Sequence, residues 1–390
     1  MTLRFLTAGE SHGKALVAIL DGFPAGLPVE EEDINRELAR RQKGYGAGPR
    51  MKIEEDRIRI LGGVMAGKTT GAPMSFLIDN LDFEKWVNQE IAPFTTPRPG
   101  HADLTGAIKY GYNDLRPALE RASARETAAR VAVGAVCKLL LARFEIDVFG
   151  YVIGIGPVEA NVKGIPIAER HRLAEDNEVR CPDINIVETM VSTIRSAIQN
   201  RDTLGGIIEV VSMGVPPGLG SYAQWDKRLE ARLGAAVLSI PAIKGVEVGP
   251  AFENTRLLGS QVQDAICLDE DQIVRPTNRA GGLEGGITNG NPIVIRAAMK
   301  PIATTLTQQQ TVDLAQGVEV QTQYQRSDFC PVPRAVPIVE ASVAFVLADA
   351  LLEKLGGDSV DEIQSRIKTL RQMRLQDLLM DDEPHRYWSS

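Results

Sequence analysis

Two of the four histidines stand in short polar loops punctuated by glycine: His12 in the run Gly9 to Gly13 (GESHG) and His101 in the run Arg98 to Asp103 (RPGHAD). An imidazole between small neighbours can be approached closely and can give or take a proton near neutral pH. Ser11 beside one of them, and Arg98 and Asp103 beside the other, add a hydroxyl, a guanidinium and a carboxylate. Arginine is the second recurring element. Arg40, Arg41, Arg50, Arg98, Arg116, Arg121, Arg125, Arg130, Arg326 and Arg334 all fall in or beside glycine- or proline-rich loops or helix ends. Guanidinium binds phosphate and carboxylate through paired hydrogen bonds, and some of these arginines are expected in ordinary ion pairs. In a chain of net charge −8 the bias points to a local anion site, while the overall charge disfavours nucleic-acid binding.

Two motif matches fail on context. GESHG has the G-x-S-x-G form of a hydrolase nucleophile elbow, but only eight residues precede Gly9, too few for the earlier strand and oxyanion loop that an elbow requires. Gly62 to Thr69 (GGVMAGKT) has the form of a nucleotide phosphate loop, which must open a helix. Here Thr70, Gly71 and Pro73 follow, then a strand-like run, so the stretch reads as a hairpin turn with a solvated Lys68.

Three further clusters carry polar chemistry. In RASARET, Ser123 and Glu126 form a capping box ahead of a long apolar helix, and Arg121 and Arg125 flank the free amides of its first turn, an anion site. Met299 to Thr305 (MKPIATT) offers a lysine and hydroxyls after a strand. QRSDFC sets Asp328 beside Arg326 just before a second apolar helix. Together these residues describe a site for one or two polyanionic small molecules, with histidine acids, one carboxylate and no metal cluster; the reaction class stays open.

The elements that must position these residues read as a single α+β domain over residues 1–380, with a mobile polar tail at 381–390. LRFLTAG is a strand, VEEEDINRELARRQKG a helix with acids first and arginines last, and residues 57–80 a hairpin. Residues 93–122 read as irregular. Helices follow from Ser123, over 226–240, and from Val336 to a stop at Gly356 and Gly357, and a charged helix with its own capping box at Ser359 and Glu362 runs to about 379. Residues 278–292 read as one long glycine-rich loop. Cys137, Cys181, Cys267 and Cys330 have no C-x-x-C spacing, and no run of 18 apolar residues occurs, so a cytoplasmic protein without membrane contact is expected.

The runs GESHGKALVAILDGFPAGLP, RPGHADLTGAIKYG, RASARETAARVAVGA, NRAGGLEGGITNG, MKPIATT and RSDFCPVPRAVPIVEA, in this order over residues 5 to about 350, resemble the chorismate synthase family. The resemblance implies a β-α-β sandwich and a homotetramer. It implies a lyase that removes phosphate and the C6 proton from 5-enolpyruvylshikimate 3-phosphate by anti-1,4-elimination, the last step of the shikimate pathway. It implies a requirement for reduced FMN without net redox change. On the same ground His12 would serve as acid at the substrate phosphate and His101 would keep the flavin correctly protonated. Ser11, Ser123 and Asp328 would form the proton relay. Flavin contacts would fall on Arg121, Ala122, Ser123, Pro241, Ala242, Gly285, Lys300, Pro301, Ile302, Ala303, Thr304 and Arg326. Arg41, Arg50, Arg98, Arg125, Arg130 and Arg334 would bind substrate.

The chain departs from the family pattern at three places. Ala47 stands where many members have arginine, so a pyridine-nucleotide (NADP) contact shared with Arg41 is in doubt. Ala122 replaces a serine and leaves only backbone for contact, and Pro241 removes an amide donor. No Rossmann glycine motif is present, which favours an external flavin reductase over a bifunctional form that reduces its flavin with NADPH. The rival from another class is a regulatory module that holds a phosphate ligand without turnover.

Overall fold

The computed structural model describes residues 2–47, 55–323 and 327–388. Two antiparallel sheets enclose a layer of helices. The first has the order Arg4–Ala8, Ala15–Asp21, Met74–Asp79, Ile58–Gly62. Its pairing runs from Arg4 opposite Asp21 to Ala8 opposite Val17, so the GESHG loop closes a hairpin. Strict alternation buries one face: Leu16, Ala18 and Leu20, with Met74, Phe76 and Ile78, point into the core, while Leu6, Ile19 and Leu61 remain exposed. The second sheet has the order Ile243–Val248, Ile293–Met299, Gly206–Met213, Asp147–Ile155, Val158–Glu159. Its middle strands read as continuous apolar runs because both faces are covered. On the far side Phe149, Tyr151 and Val211 pack with Ala174 of the helix Ile167–Glu175.

Helices Thr127–Ala142 and Val332–Leu355 cross between the sheets. Gly134 makes the crossing close: a Cβ there would overlap Cα and Cβ of Ala341 and lie 2.9 Å from its carbonyl oxygen. Val332–Leu355 is long and apolar enough to cross a membrane by composition, with mean hydropathy 2.0, but most of it is buried in the protein. Within it Glu340 is fully buried. Arg40 donates to both of its oxygens (2.7 and 2.9 Å), Lys138 to one (2.9 Å), and the Gly150 amide to the other (2.8 Å). Burial alone would raise this carboxyl; the two cations outweigh it and hold it well below the usual carboxylate range. Pro337 lacks the N–H that would reach Pro333, and the buried Arg180 fills the gap by donating to the Pro333 carbonyl at 2.6 Å. The same side chain donates to the Arg40 carbonyl at 2.6 Å, tying this helix to the end of Glu31–Gln42.

Several expectations change. Residues 93–122 contain two short helices, Asp103–Tyr110 and Arg116–Arg121, one ended by left-handed Gly111 and the other begun by Pro117. At the Ser123 cap the first turn is a 3-10 turn: Ser123 Oγ accepts from Arg125 N (3.2 Å), and Glu126 turns away from the cap to accept from Thr7 Oγ1 (2.7 Å) and Arg130 Nε (2.9 Å). The helix after Ser359 ends at Ile367, because the chain then leaves to pair with Gln272 and Ile273. There Ser359 caps Glu362 N as expected, but Glu362 accepts from Asp358 N and not from the cap residue. The 278–292 loop holds a hairpin, Leu283–Glu284 with Ile287–Thr288, turned by Gly285 and Gly286 at positive φ. The phosphate-loop look-alike is a hairpin, Val64–Met65 with Lys68–Thr69, and Lys68 is exposed. Residues 381–388 are exposed and carry no helix or strand.

Candidate active site

A cavity of about 1590 Å³ opens between the edge strand of the first sheet at Phe5–Thr7 and the edge strand of the second at Ile243 and Lys244. Seven separate segments line it, within residues 5–12, 82–94, 98–102, 116–130, 238–244, 299–304 and 327–331. The fold thus gathers Ser11, His12, Arg98, His101, Arg121, Ala122, Ser123 and Arg130 with Pro241, Ala242, Lys300, Ile302, Ala303, Thr304 and Asp328. Lys85, Arg116 and Lys244 also reach it, so cations outnumber carboxylates along the wall.

Gly9 of GESHG serves the turn itself. Gly9 has φ +106°, and a Cβ on it would strike the Ala15 carbonyl; a Cβ on Gly13 would lie 2.8 Å from Glu10 Oε2. The role of Gly9 is conformational, where the sequence suggested room for a ligand. Asn80 ties the loop by donating to the carbonyls of Glu10 (3.0 Å) and Gly13 (2.7 Å). The loop runs into the strand Ala15–Asp21 and not into a helix, which removes the elbow reading. Ser123 Oγ donates to Ser11 Oγ at 3.1 Å.

Each histidine has a carboxylate at Nδ1. Glu120 Oε1 lies 2.8 Å from His12 Nδ1, and Glu120 Oε2 accepts the His12 backbone N–H at 2.8 Å. Burial pushes the Glu120 carboxyl up, but these two hydrogen bonds prevail and hold it below its ordinary value. Trp86 packs on the His12 ring at 4.6 Å, and the Arg116 guanidinium lies over Trp86 at 5.7 Å. Asp103 Oδ1 lies 2.6 Å from His101 Nδ1. Asp103 is fully buried, and its other oxygen accepts from Arg98 N (3.0 Å) and Nε (2.8 Å). Burial opposes its ionisation; Arg98 and His101 overcome that and keep the carboxyl well below the usual range. Lys300 is held below its ordinary value by partial burial and by Lys244, and its Nζ donates to Gly100 O at 3.2 Å.

The arginines divide into two sets. Arg98, Arg116, Arg121 and Arg130 stand in the lining. Arg41, Arg125 and Arg334 are buried in the wall behind it. Asp56, itself buried, pairs with Arg41 (3.1 Å) and with Arg125. Arg41 also donates to Thr127 Oγ1 (3.1 Å) and the Ala124 carbonyl (3.0 Å), and Arg125 to Asn80 Oδ1 (2.8 Å). Arg334 pairs with Asp328 and donates to the Arg41 carbonyl at 3.2 Å. Arg130 pairs with Glu126, and Arg121 donates to Thr7 Oγ1 at 2.8 Å. Ala47, Gly285 and Pro301 are outside the lining, and Arg50 and Arg326 lie outside the described residues. Sequence reasoning missed Glu120, Trp86 and Asp56. Glu120 adjoins RASARET but is 108 residues from His12, and no local signal joins them.

This arrangement can bind a polyanion and hold protons on two oriented imidazoles. Comparison with known proteins gives a consistent result. The family model for chorismate synthase matches residues 3–352. The chorismate synthase of Desulforudis audaxviator (strain MP104C) is 51% identical over 373 residues, 93% of this chain and 95% of that protein. That of Aquifex aeolicus (strain VF5) is 50% identical over 384 residues, covering 94% and 96%. A solved crystal structure of a chorismate synthase superposes with a TM-score of 0.78 at 45% identity, over 94% of this chain and 97% of the other. With a family match and relatives at half identity across nearly its whole length, the chain belongs to the chorismate synthase family.

Proposed function

We propose that this enzyme, a carbon–oxygen lyase, converts 5-enolpyruvylshikimate 3-phosphate to chorismate and inorganic phosphate, the last step of the shikimate pathway. The observation that carries the assignment of residues is that His12, His101 and Asp328, from three distant segments, line one cation-rich cavity. The substrate carries a phosphate and two carboxylates, and Arg98, Arg116, Arg121, Arg130, Lys244 and Lys300 offer the complementary charge.

The cavity fits a flavin mononucleotide beside the substrate. It exceeds the roughly 300–1,000 Å³ of a pocket for a single small ligand. Arg121 to Ser123, Pro241 and Ala242, and Lys300 to Thr304 would hold the flavin, with Ala122 and Pro241 contributing backbone and carbon surface. Reduced FMN, when bound, supplies electron density for the breaking allylic carbon–oxygen bond without net redox change. The protein's residues do the rest. His12 holds a proton for the departing phosphate. His101, held by Asp103, maintains the protonation state at the flavin ring. Ser11, Ser123 and Asp328 relay the C6 proton.

Flavin reduction is assigned to a separate reductase. Arg41 is buried against Asp56, and Ala47 has no charge, which argues against a pyridine-nucleotide contact at these two positions. The exposed apolar residues Leu6, Ile19 and Leu61 support assembly into a homotetramer, and four unpaired cysteines support a reducing cytoplasm. The test is phosphate and chorismate release with dithionite-reduced FMN under anaerobic conditions. Absence of release with reduced and oxidised flavin alike overturns the lyase assignment. Chorismate formed with FMN and NADPH alone overturns the separate reductase.

A further inference from the structure

The two histidines share a device that the reaction as assigned does not require by itself: each Nδ1 faces a carboxylate anchored by other donors. Glu120 accepts twice, from the His12 ring at Oε1 and from the His12 backbone N–H at Oε2. Because the backbone N–H can only donate, the carboxylate is fixed in place, and its remaining oxygen must take a proton from the ring. Trp86 against the ring face leaves little freedom to flip. Asp103 is bound more tightly still. Arg98 donates to Oδ2 through N and Nε and to Oδ1 through Nη2 (2.9 Å), and His101 Nδ1 faces Oδ1 at 2.6 Å. Arg98 Nη2 also lies 3.0 Å from His101 Nδ1 and 3.4 Å from Nε2, but two lone pairs cannot face each other at 2.6 Å, so the shorter Nδ1–Oδ1 contact holds the ring proton and Arg98 gives its N–H groups to Asp103.

We propose that Glu120 and Asp103 are positioning residues that keep a proton on Nδ1 of His12 and of His101, so that both rings exchange protons with cavity ligands through Nε2. This rests on the acid and protonation roles given to the two histidines above. Its consequence for His12 is specific. An imidazolium carries protons on both nitrogens, and a carboxylate at Nδ1 accepts one in the neutral and in the charged ring alike. An amide in its place has one oxygen. In Glu120→Gln that oxygen turns to the backbone N–H, the amide NH2 is left facing Nδ1, and Nδ1 must accept. The acid form is then excluded and the neutral ring takes the opposite tautomer. The same reasoning applies to Asp103→Asn, where Arg98 supplies the donors that only an oxygen can meet.

The experiment is 15N NMR of histidine-labelled full-length enzyme, with His12→Asn and His101→Asn used to assign the ring signals, alongside steady-state kinetics. In the wild type, both neutral rings are expected with Nδ1 protonated. In Glu120→Gln the His12 pattern inverts and that of His101 does not; in Asp103→Asn the reverse holds. Glu120→Gln lowers kcat by about 10²–10⁴-fold with KM and flavin affinity kept within about threefold. A wild-type His12 or His101 with its neutral proton on Nε2 overturns the proposal whether or not the variants fold. So does a variant whose tautomer stays wild type, or one whose tautomer inverts with kcat unchanged. The NMR needs no turnover: native enzyme that makes no chorismate refutes the lyase assignment, while Nδ1 protonation there supports the placement of the protons.

Discussion

Gly134→Ala places a methyl group where the two central helices touch. The new Cβ would overlap Cα and Cβ of Ala341 and sit 2.9 Å from its carbonyl oxygen. Carbon contacts are comfortable near 3.5–4.0 Å, so the helices must separate by more than about 1 Å. The substitution gains about 1 kcal/mol of helix propensity and loses the upper end of the roughly 1–3 kcal/mol cost of overpacking, with backbone as the obstacle. A net loss of about 2 kcal/mol, at about 2.1 cal/mol/K of unfolding entropy per residue, lowers Tm by about 2–3 °C. The larger effect is on activity. Thr127–Ala142 carries Ser123 at its head, and Val332–Leu355 begins four residues after Asp328, so separating the helices shifts Ser123 against Asp328, the two sides of the proposed relay. A displacement near 1 Å costs on the order of 10²-fold in rate. Adding Ala341→Gly removes one obstructing atom but leaves the backbone, so recovery is partial. The assay is anaerobic phosphate release with dithionite-reduced FMN, beside calorimetry. Full activity and unchanged Tm in Gly134→Ala, or complete rescue by Ala341→Gly, refutes the reasoning.

His12→Ala and His101→Ala each lower kcat by roughly 10²–10⁴-fold in the same assay, and a loss below about threefold removes the acid role from that residue. Glu340→Gln removes the buried anion between Arg40 and Lys138, which keep Glu37 and Glu175 as partners, and costs about 1–3 kcal/mol in urea unfolding. Because the Glu340 carboxyl is depressed in the fold, its stabilisation is complete above the unfolded carboxyl value near ~4.3 and is lost as pH falls towards the folded value; acid unfolding curves of wild type and Glu340→Gln converge there. Lys68→Ala leaves activity and stability unchanged within error, since Lys68 is exposed in a hairpin turn; loss of turnover would reinstate a phosphate-loop role.

The sequence made the long elements plain. Residues 31–42 carry acids at the start and arginines at the end, and the helices 127–142 and 332–355 are apolar enough to be recognised as core. The loops bearing His12 and His101 stood out by their glycines. What linear reading could not separate was a cation that lines the cavity from one held in the wall behind it. Arg41 and Arg125 look alike in sequence to Arg116 and Arg121, and only the buried Asp56, 15 and 69 residues away, distinguishes them. Gly9 was noticed for the right property and the wrong reason, because the atom it makes room for is the Ala15 carbonyl. The helices Asp103–Tyr110 and Arg116–Arg121 are too short to display a period, and tertiary contacts fix them.

The helix Val332–Leu355 follows every strand of the second sheet in the chain, yet Asp147–Ile155 and Gly206–Met213 pack against it on one side and Thr127–Ala142 on the other. During synthesis the inner face of the second sheet and the facing side of Thr127–Ala142 therefore wait uncovered until this segment is released. That segment is itself apolar enough to compete for a bilayer or for another nascent chain. Glu340 in its middle opposes the first of these fates, since an acidic side chain costs roughly 3 kcal/mol to insert at the centre of a membrane. The carboxylate that Arg40 and Lys138 neutralise in the finished protein is thus also a guard on the unfinished one, and it steers the segment towards the cations waiting in its own chain.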